Sequence, residues 1–248
     1  SCLKIQMNLI IDVGNTLVKL AVFDRDELQF KKNFVKSDFL DVLSIVSKQF
    51  LKIENAIISS VSNINKAQLS ALKKLYPLLV LDYKMKLPFI NLYETPSTLG
   101  VDRIALVSAA AFQYPTKNVL IIDSGSCITY DFLDNRNQYL GGAISPGLEM
   151  RYNALNQFTA RLPFLEMKKP KSIIGDSTNS SIHSGVVSGT LFEIEGFISS
   201  YRLQYDDLTI ILTGGNAHLL RDSLKSDIFA NSNFLMEGLN YILENNKD

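Results

Sequence analysis

The sequence lacks an excess of either charge. Lysine and arginine together number 25, aspartate and glutamate also number 25, and the formal net charge of the 248 residues is zero. A protein that binds the nucleic-acid backbone normally carries a basic excess, so we expect no nucleic-acid partner. No apolar run approaches the roughly 20 residues that a helix needs to cross a bilayer, so we also expect no membrane partner.

Cysteine and histidine are nearly absent. Cys2 and Cys127 cannot form a disulfide framework or a four-cysteine zinc site. His183 and His218 lie far apart in sequence, and we interpret each as a polar side chain with satisfied hydrogen bonds. The first residues do not show the basic, apolar and small-residue succession of a signal peptide, so we expect a cytoplasmic protein.

Several motifs for nucleotide binding and catalysis are also missing. The sequence has no G-x-x-x-x-G-K-[ST] loop, and no G-x-G-x-x-G follows the first predicted strand. It has neither the H-R-D loop of protein kinases nor a G-x-S-x-G elbow. A nucleotide, if one binds, would have to be held by a pair of hairpin turns.

The sequence does contain an internal repeat. Residues 10–16 align with residues 121–127, and each segment is an apolar run that ends in aspartate and enters a glycine turn. The offset is 111 residues, close to half of the chain. Two copies of this pattern, each followed by helices, predict two similar α/β halves, which we place at residues 1–115 and 116–248, with the boundary near residues 114–117.

Periodicity and turn residues predict the order of the elements. The predicted strands are residues 8–12, 17–23, 28–35, 55–61, 78–82, 119–123, 126–133, 138–144 and 208–212. The predicted helices are residues 38–50, 65–76, 100–113 and 177–205, with two more beginning at residues 147 and 216. Residues 163–174 are predicted to be irregular.

The first glycine turn carries groups suited to a phosphate. Asp12 ends the first strand, residues 14–16 form a Gly-Asn-Thr turn, and Lys19 adds a positive charge. Glycine and free backbone N–H groups let an anion approach closely, whereas the carboxylate is better suited to a hydrated cation. A simple capped hairpin turn is the alternative and would be favoured for one copy alone. The second copy, ending at Asp123, shifts the balance toward binding.

A second candidate site opens the predicted helix at residue 100. The helix dipole favours Asp102 in the first turn, so a structural cap would explain it. The dipole does not favour Arg103 there. An Asp-Arg pair could instead provide a base for a hydroxyl and a fork for an anionic group. From the residues alone, the two interpretations are evenly balanced.

Three further glycine turns could serve a ligand or only shape the chain. Residues 141–147 place two glycines on a strand and Pro-Gly at a helix start. Residues 175–178 are typical of a helix cap. Residues 213–216 could pass under an adenine or ribose, or could simply connect a strand to a helix.

In order and spacing, these motifs resemble those of the type III pantothenate kinases, in the superfamily of acetate kinase, sugar kinases, chaperones and actin. The resemblance covers nearly the whole chain. The matching residues are Asp12 to Lys19 (D-x-G-N-T-x-x-K), Tyr93, Pro96, Leu99, Gly100, Asp102 and Arg103 (Y-x-x-P-x-x-L-G-x-D-R), Asp123, Gly125 and Ser126 (D-x-G-T), residues 141–147 (G-G-x-I-x-P-G) and Thr178. One departure is Ser-Cys-Ile at residues 126–128, where the family usually has Thr-Ala-Thr.

The resemblance implies a fold and an activity. The fold would be α/β, with two ribonuclease H-like halves, each a mixed sheet with flanking helices. The activity would be ATP-dependent phosphorylation of the primary hydroxyl of pantothenate to 4'-phosphopantothenate, the first step of coenzyme A synthesis. Alternatives are a non-catalytic accessory protein of this fold, a kinase for another small hydroxylated metabolite, or a phosphatase.

The resemblance also implies roles for individual residues. Asp102 would be the general base, Asp123 would hold potassium or ammonium, and Asp12 would lie near magnesium, directly or through water. The protein would be a homodimer. The substrate-binding residues would be Tyr93, Gly100, Val101, Asp102, Arg103 and Thr178. The ATP-binding residues would be Asp12, Val13, Gly14, Asn15, Thr16, Leu17, Val18, Lys19 and Ser126.

Overall fold

The first three apolar runs form an antiparallel meander in the computed structural model. The strands are β1 (Met7–Val13), β2 (Leu17–Asp24) and β3 (Glu27–Val35), joined by tight turns. On the other side of β1, the parallel strands β4 (Ile53–Ile58) and β5 (Leu78–Val80) complete a sheet of order β3-β2-β1-β4-β5. The three leading strands were predicted to within about two residues at each end, the usual scatter at element ends.

Helices flank this sheet. A 3-10 turn at Lys36–Asp38 leads into α1 (Phe39–Gln49), and Asn65 caps α2 (Lys66–Leu75) in a capping box with Gln68. The short strand β6 (Ile90–Asn91) and a 3-10 turn at Pro96–Thr98 precede α3 (Val101–Gln113). α2 and α3 confirm the predictions for residues 65–76 and 100–113.

The same strand pattern then returns. A second meander consists of β7 (Asn118–Ser124), β8 (Cys127–Leu133) and β9 (Gln138–Pro146). The parallel strands β10 (Leu208–Thr213) and β11 (Phe229–Ala230) lie on the other side of β7, giving the order β9-β8-β7-β10-β11. The five strands of residues 118–230 thus follow the same order as the five strands of the first sheet, and the two similar α/β halves predicted from the repeat are confirmed.

The helices of this second region include one long, interrupted helix. α4 (Leu148–Gln157) begins after Gly147, and residues 163–174 are irregular as predicted. α5 (Thr178–His183) continues through a π-helical turn at Ser184–Ser188 into α6 (Gly189–Arg202), where a single helix over residues 177–205 was predicted. α7 (Ala217–Arg221) is only five residues long.

The chain, described for residues 6–15, 17–60 and 64–247, divides into two compact units. One unit contains the chain up to Gln113 together with the segment from Asn233, and the other is Tyr114–Ser232. The division at Gln113 adjoins the boundary expected near residues 114–117. It differs at the C-terminus, which was expected to stay with residues 116–248.

The C-terminal helix explains that difference. α8 (Phe234–Asn245), which was not predicted, packs against α3. Gly238 allows the close approach, since a Cβ atom there would lie 1.9 Å from the carbonyl oxygen of Ala105. The helix therefore contributes its buried face to the first unit.

Each unit has its own apolar core. Leu9 and Ile11 of β1 pack toward α1 and α2, while Ile10 between them is also fully buried, so both faces of β1 are covered. In the second unit, Leu120 and Ile122 of β7 pack in the same way toward α4, α5 and α6. Among the described residues, none of the helices has both the length and the apolar character needed to cross a membrane.

Candidate active site

The hairpin between β1 and β2 brings an acid and a base together next to its turn. Asp12 and Lys19 are directly opposite in the antiparallel register, and Lys19 Nζ lies 4.0 Å from Asp12 Oδ2. The Asp12 side chain is 13% exposed and that of Lys19 is 40% exposed. The lysine can therefore turn toward a ligand in solvent while the carboxylate stays in the protein.

Neighbouring groups have opposing effects on the pKa of Asp12. Burial raises the pKa of Asp12 above its ordinary value, while the hydrogen bond from Ser59 and the charge of Lys19 lower it. The charge of Asp102 raises the pKa of Asp12 again, so the two carboxylates lie in one neighbourhood of the first unit. A cation bound nearby would favour the charged form of Asp12.

The backbone of this hairpin is less open than its sequence predicted. Val13 N donates to Ser59 Oγ at 3.3 Å, and Gly14 N donates to the carbonyl oxygen of Leu17 at 3.0 Å. These two N–H groups are engaged within the protein, contrary to the expectation that the turn leaves them free. The Val18 side chain is fully buried, Asn15 and Leu17 are exposed, and Thr16 lies outside the described residues.

The start of α3 presents Asp102 to solvent. Its Oδ1 atom accepts a hydrogen bond from Arg103 N at 2.9 Å, the local contact of a first-turn acid. A Cβ atom on Gly100 would lie 2.5 Å from this oxygen, so the carboxylate can take this position only because residue 100 has no side chain. Val101 is partly buried beside it. Asp102 thus makes a structural contact and still has an oxygen available to a ligand.

Arg103 is buried, whereas Asp102 beside it is exposed. Its side chain is only 5% exposed, and its guanidinium carbon lies 5.5 Å from the centre of the Tyr93 ring. This is cation–π distance, and the ring limits where the guanidinium can point. The Tyr93 backbone is itself fixed by a hydrogen bond from its N–H group to Asn91 Oδ1 at 3.0 Å. Tyr93 and Arg103 therefore form one preorganised pair.

The hairpin between β7 and β8 also closes through the N–H group of a glycine, with a turn one residue shorter than that of the first hairpin. Gly125 N donates to the carbonyl oxygen of Cys127 at 2.9 Å, as Gly14 N does to Leu17. Gly147 N donates to the carbonyl oxygen of the exposed Ser126 at 3.2 Å. A Cβ atom on Gly147 would lie 2.3 Å from that oxygen, so the glycine turn at residues 141–147 supports this hairpin.

The turn after β10 packs against Asp123. Gly214 has a φ of +96°, and a Cβ atom there would lie 2.3 Å from Asp123 Oδ1 and 2.5 Å from the Ser124 carbonyl oxygen. Both the backbone conformation and the space require glycine. The 213–216 segment therefore packs closely against the Asp123 carboxylate, whether or not it also contacts a ligand.

The groups around Asp123 fit a hard cation. Thr129 is its cross-strand partner, and Thr129 Oγ1 is buried with no hydrogen-bond partner among the described residues. Carboxylate, carbonyl and hydroxyl oxygens are ligands typical of hard cations. No group of three or more His, Cys, Asp or Glu side chains in the described chain is placed to hold a metal ion. A cation here would thus rely on one carboxylate and neutral oxygens.

A charged cluster lies behind the second hairpin. Arg151 donates from Nε to the Pro146 carbonyl oxygen at 2.8 Å and from Nη2 to Glu193 Oε2 at 2.6 Å. Tyr130 donates its hydroxyl to Glu193 Oε1 at 2.8 Å. Burial would raise the pKa of Glu193, but hydrogen bonds from Arg151, Ser145 and Tyr130 outweigh it and lower the pKa. The cluster ties β8, β9, α4 and α6 together.

The remaining predicted contact, Thr178, is the exposed first residue of α5. Ser177 caps the helix in a capping box with Ser180, as the sequence predicted for a cap-rich segment. Gly175 packs against this turn, since a Cβ atom there would lie 2.4 Å from Ser181 N. The Thr178 hydroxyl is therefore held at a fixed helix start in the second unit.

Sequence reasoning missed Ser59 and Thr129. Ser59 lies directly after β4 and is 2% exposed, with its hydroxyl donating to Asp12 Oδ1 at 2.7 Å. Both residues lie beside the aspartates only because of strand pairing. A polar residue at the end of a buried strand was the signal available for Ser59.

Comparison with known proteins gives a family match over most of the chain. The sequence model described as type III pantothenate kinase matches residues 8–200. A type III pantothenate kinase from Christiangramia forsetii is 54% identical over 241 residues, covering 97% of this chain and 99% of that protein. Those from Bacteroides fragilis and Finegoldia magna are 45% and 36% identical, each covering 97% of this chain and 98% of theirs.

Two solved structures are similar in fold. A Campylobacter jejuni protein, provisionally described as a Baf family transcriptional activator, has a TM-score of 0.61 at 21% identity, covering 96% of this chain and 98% of that one. A Listeria monocytogenes protein, provisionally described as an N-acetylmannosamine kinase, has a TM-score of 0.54 at 10% identity, covering 98% and 100%. At these identities the likeness shows the fold alone.

Proposed function

The chain belongs to the type III pantothenate kinase family, and from this premise we propose how its residues serve the reaction. The protein is a kinase that phosphorylates pantothenate with ATP, in coenzyme A synthesis. The observation that carries this conclusion is 54% identity to a relative over nearly the full length of both chains. Like other ATP-dependent kinases, it requires a divalent cation with its nucleotide.

Asp102 is the proposed general base. Its carboxylate is exposed at the start of α3 and lies near enough to Asp12 to raise the pKa of that residue. As the pantothenate hydroxyl oxygen bonds to the γ-phosphorus of ATP, the bond from that phosphorus to the β–γ bridging oxygen breaks. The hydroxyl proton passes to the Asp102 carboxylate, and ADP leaves with the electron pair.

Tyr93 and Arg103 are the proposed contacts for the acidic end of pantothenate. The planar guanidinium offers a donor fork that matches a carboxylate, and the Tyr93 ring restricts its direction. Gly100 and Val101 would contribute backbone at the same helix start, and Thr178 a hydroxyl. These assignments use the matched motif, with the short Tyr93–Arg103 distance as support.

The first hairpin is the proposed ATP site, formed by residues 12–19, with Ser126 contributing from the second hairpin. Lys19 would neutralise phosphate charge, and Asp12, whose Oδ2 atom faces Lys19, would hold magnesium directly or through water. Magnesium, when bound, supplies further charge neutralisation. Asp123 would hold potassium or ammonium, for which the support is the Thr129 hydroxyl, which has no hydrogen-bond partner among the described residues.

A homodimer is also proposed, acting in the cytoplasm. Large apolar side chains of the second unit are exposed, among them Phe158 at 85%, Ile174 at 80% and Phe192 at 64%. Burying such side chains against a second copy would be favourable. Sedimentation equilibrium should give twice the chain mass. A monomer at all concentrations would contradict the dimer without affecting the kinase assignment.

The deciding experiment is phosphate transfer from ATP to pantothenate by the purified protein. We expect transfer in the presence of magnesium, with a higher rate in potassium than in sodium. Transfer to a panel of other hydroxylated metabolites but not to pantothenate would indicate a different kinase. No transfer and no ATP hydrolysis would indicate an accessory protein of the same fold.

A further inference from the structure

Ser59 holds three consecutive residues of β1 at the point where the strand enters the first hairpin. Its backbone N–H donates to the Ile11 carbonyl oxygen at 2.9 Å. Its hydroxyl donates to Asp12 Oδ1 at 2.7 Å and accepts from Val13 N at 3.3 Å. One residue on the neighbouring parallel strand thus contacts the backbone on both sides of the carboxylate and the carboxylate itself.

The two hydroxyl bonds restrict Asp12 in a way that other groups nearby do not. Lys19 lies 4.0 Å from the other carboxylate oxygen, beyond hydrogen-bond distance, and its side chain is 40% exposed. Ser59 is 2% exposed and follows β4, whose pairing with β1 fixes its position. A buried hydrogen bond to a charged acceptor is directional and among the stronger kinds. The serine, more than the lysine, sets the direction of the carboxylate.

We propose that Ser59 is a positioning residue for nucleotide binding, which orients Asp12 and fixes the first turn of the phosphate-binding hairpin. The proposal rests on the proposed function of this hairpin. Ser59 itself would not touch the phosphates, because its hydroxyl is used within the protein. Its loss would let the carboxylate turn and would leave Val13 N without its acceptor. Loss of Ser59 would therefore lower the affinity for MgATP and leave the affinity for pantothenate nearly unchanged.

A purely structural serine is the alternative, and the chain offers a matched control. Ser108 of α3 is fully buried in the same unit, and its hydroxyl donates to the Ile104 carbonyl oxygen at 2.8 Å. Ser108→Ala and Ser59→Ala each remove one buried hydroxyl. If both roles are structural, the two variants should lower the melting temperature alike and leave the affinity for MgATP unchanged in the folded protein.

The experiment measures MgATP binding separately from turnover. MgATP is titrated without pantothenate, and the dissociation constant is taken from the nucleotide-dependent rise in melting temperature. We expect Ser59→Ala to weaken binding by about tenfold, to raise the KM for ATP similarly, and to leave the KM for pantothenate within about twofold. Ser108→Ala should bind as wild type does, and Ser59→Thr, which keeps the hydroxyl, should restore most of the affinity.

Several outcomes would overturn the proposal. One is MgATP binding by Ser59→Ala within about twofold of wild type, where a tenfold loss is expected. Another is an equal loss of binding in Ser108→Ala. If Ser59→Ala does not fold, Ser59→Cys keeps the volume with a weaker donor and must show the same selective loss. A wild-type protein that binds MgATP but does not phosphorylate pantothenate would contradict the proposed function and leave this test intact.

Discussion

The two hairpins whose turns follow Asp12 and Asp123 both close through a glycine, and they differ in turn length and in what contacts each carboxylate. In both, the glycine two residues after the aspartate closes the turn through its N–H group. The first carboxylate receives a hydroxyl hydrogen bond from Ser59 and faces Lys19. The second lies against Gly214, which has no side chain to offer. The repeat thus preserves the pairing of the strands, while residues next to each hairpin give the two aspartates different contacts.

The largest effect on activity is expected at Asp102. This second carboxylate lies in the same unit as the first hairpin. Asp102→Asn should lower turnover by about 10²–10⁴-fold, because the proposed general base is lost. Its melting temperature should stay near wild type, since asparagine and aspartate serve similarly at helix starts. Steady-state kinetics and thermal unfolding provide the two measurements.

A matched control for Asp102 is Glu149, the exposed first-turn acid of α4. Glu149→Gln changes the charge at an equivalent helix position and should leave turnover unchanged. Turnover of Asp102→Asn within a few-fold of wild type would remove Asp102 as the base. A collapsed melting temperature would instead assign it a structural role.

The next effect concerns the cation proposed at Asp123. Asp123→Asn should lower the apparent affinity for potassium by at least about tenfold. Mutating a residue that only hydrogen-bonds to a metal ligand can already lower metal affinity by that factor. The measurement is the rate as a function of potassium concentration at constant ionic strength. Equal rates in sodium and potassium for the wild type would contradict the site altogether.

Gly214 tests whether the second carboxylate needs its glycine neighbour. Gly214→Ala should lower the free energy of unfolding by about 1–3 kcal/mol from backbone conformation alone, with a further cost from the contact with Asp123. Chemical denaturation measures it. Gly215→Ala is the control, because no described atom lies within 4 Å of a Cβ atom there. Equal stability of the two variants would show that the turn can move away from Asp123.

The smallest effect expected is the change of stability with pH that comes from Glu193, in the charged cluster with Arg151. The pKa of Glu193 is lowered from 4.5 in the folded protein, so its stabilisation is present above that value. It is lost as the pH falls through the folded pKa. Glu193→Gln should therefore reduce stability at neutral pH and show a shallower loss below pH 4.5. Parallel unfolding curves against pH for the two proteins would contradict this.

The sequence predicted those parts of the fold that depend on local pattern. The strands of both meanders, the capped helix after Asn65 and the helix beginning after Gly100 follow from alternation, turns and caps. The roles of Ser59 and Gly214 depend on which strands become neighbours, and periodicity does not encode this. The π-helical turn at Ser184–Ser188 also has no signal in the apolar spacing that predicted a continuous helix.

The candidate site shows the same limit. Asp12, Asp102 and Asp123 were recognisable as acids in particular motifs, and the structure places the first two in one neighbourhood. Engagement of Val13 N and Gly14 N within the protein was not foreseen, because their acceptors lie outside the motif, at Ser59, and across the turn, at Leu17. Motif matching names the residues, whereas packing decides which of their atoms remain available.

The packing of α8 against α3 has a consequence for the order of events during synthesis. Residues 114–232 are synthesised before α8, so the chain of the second unit is complete before that of the first. The earlier residues up to Gln113 must wait for the last helix to cover Ala105 and its neighbours. A chain that ends at Ser232 and has been released from the ribosome should therefore contain a protease-resistant 114–232 segment beside a protease-sensitive N-terminal one.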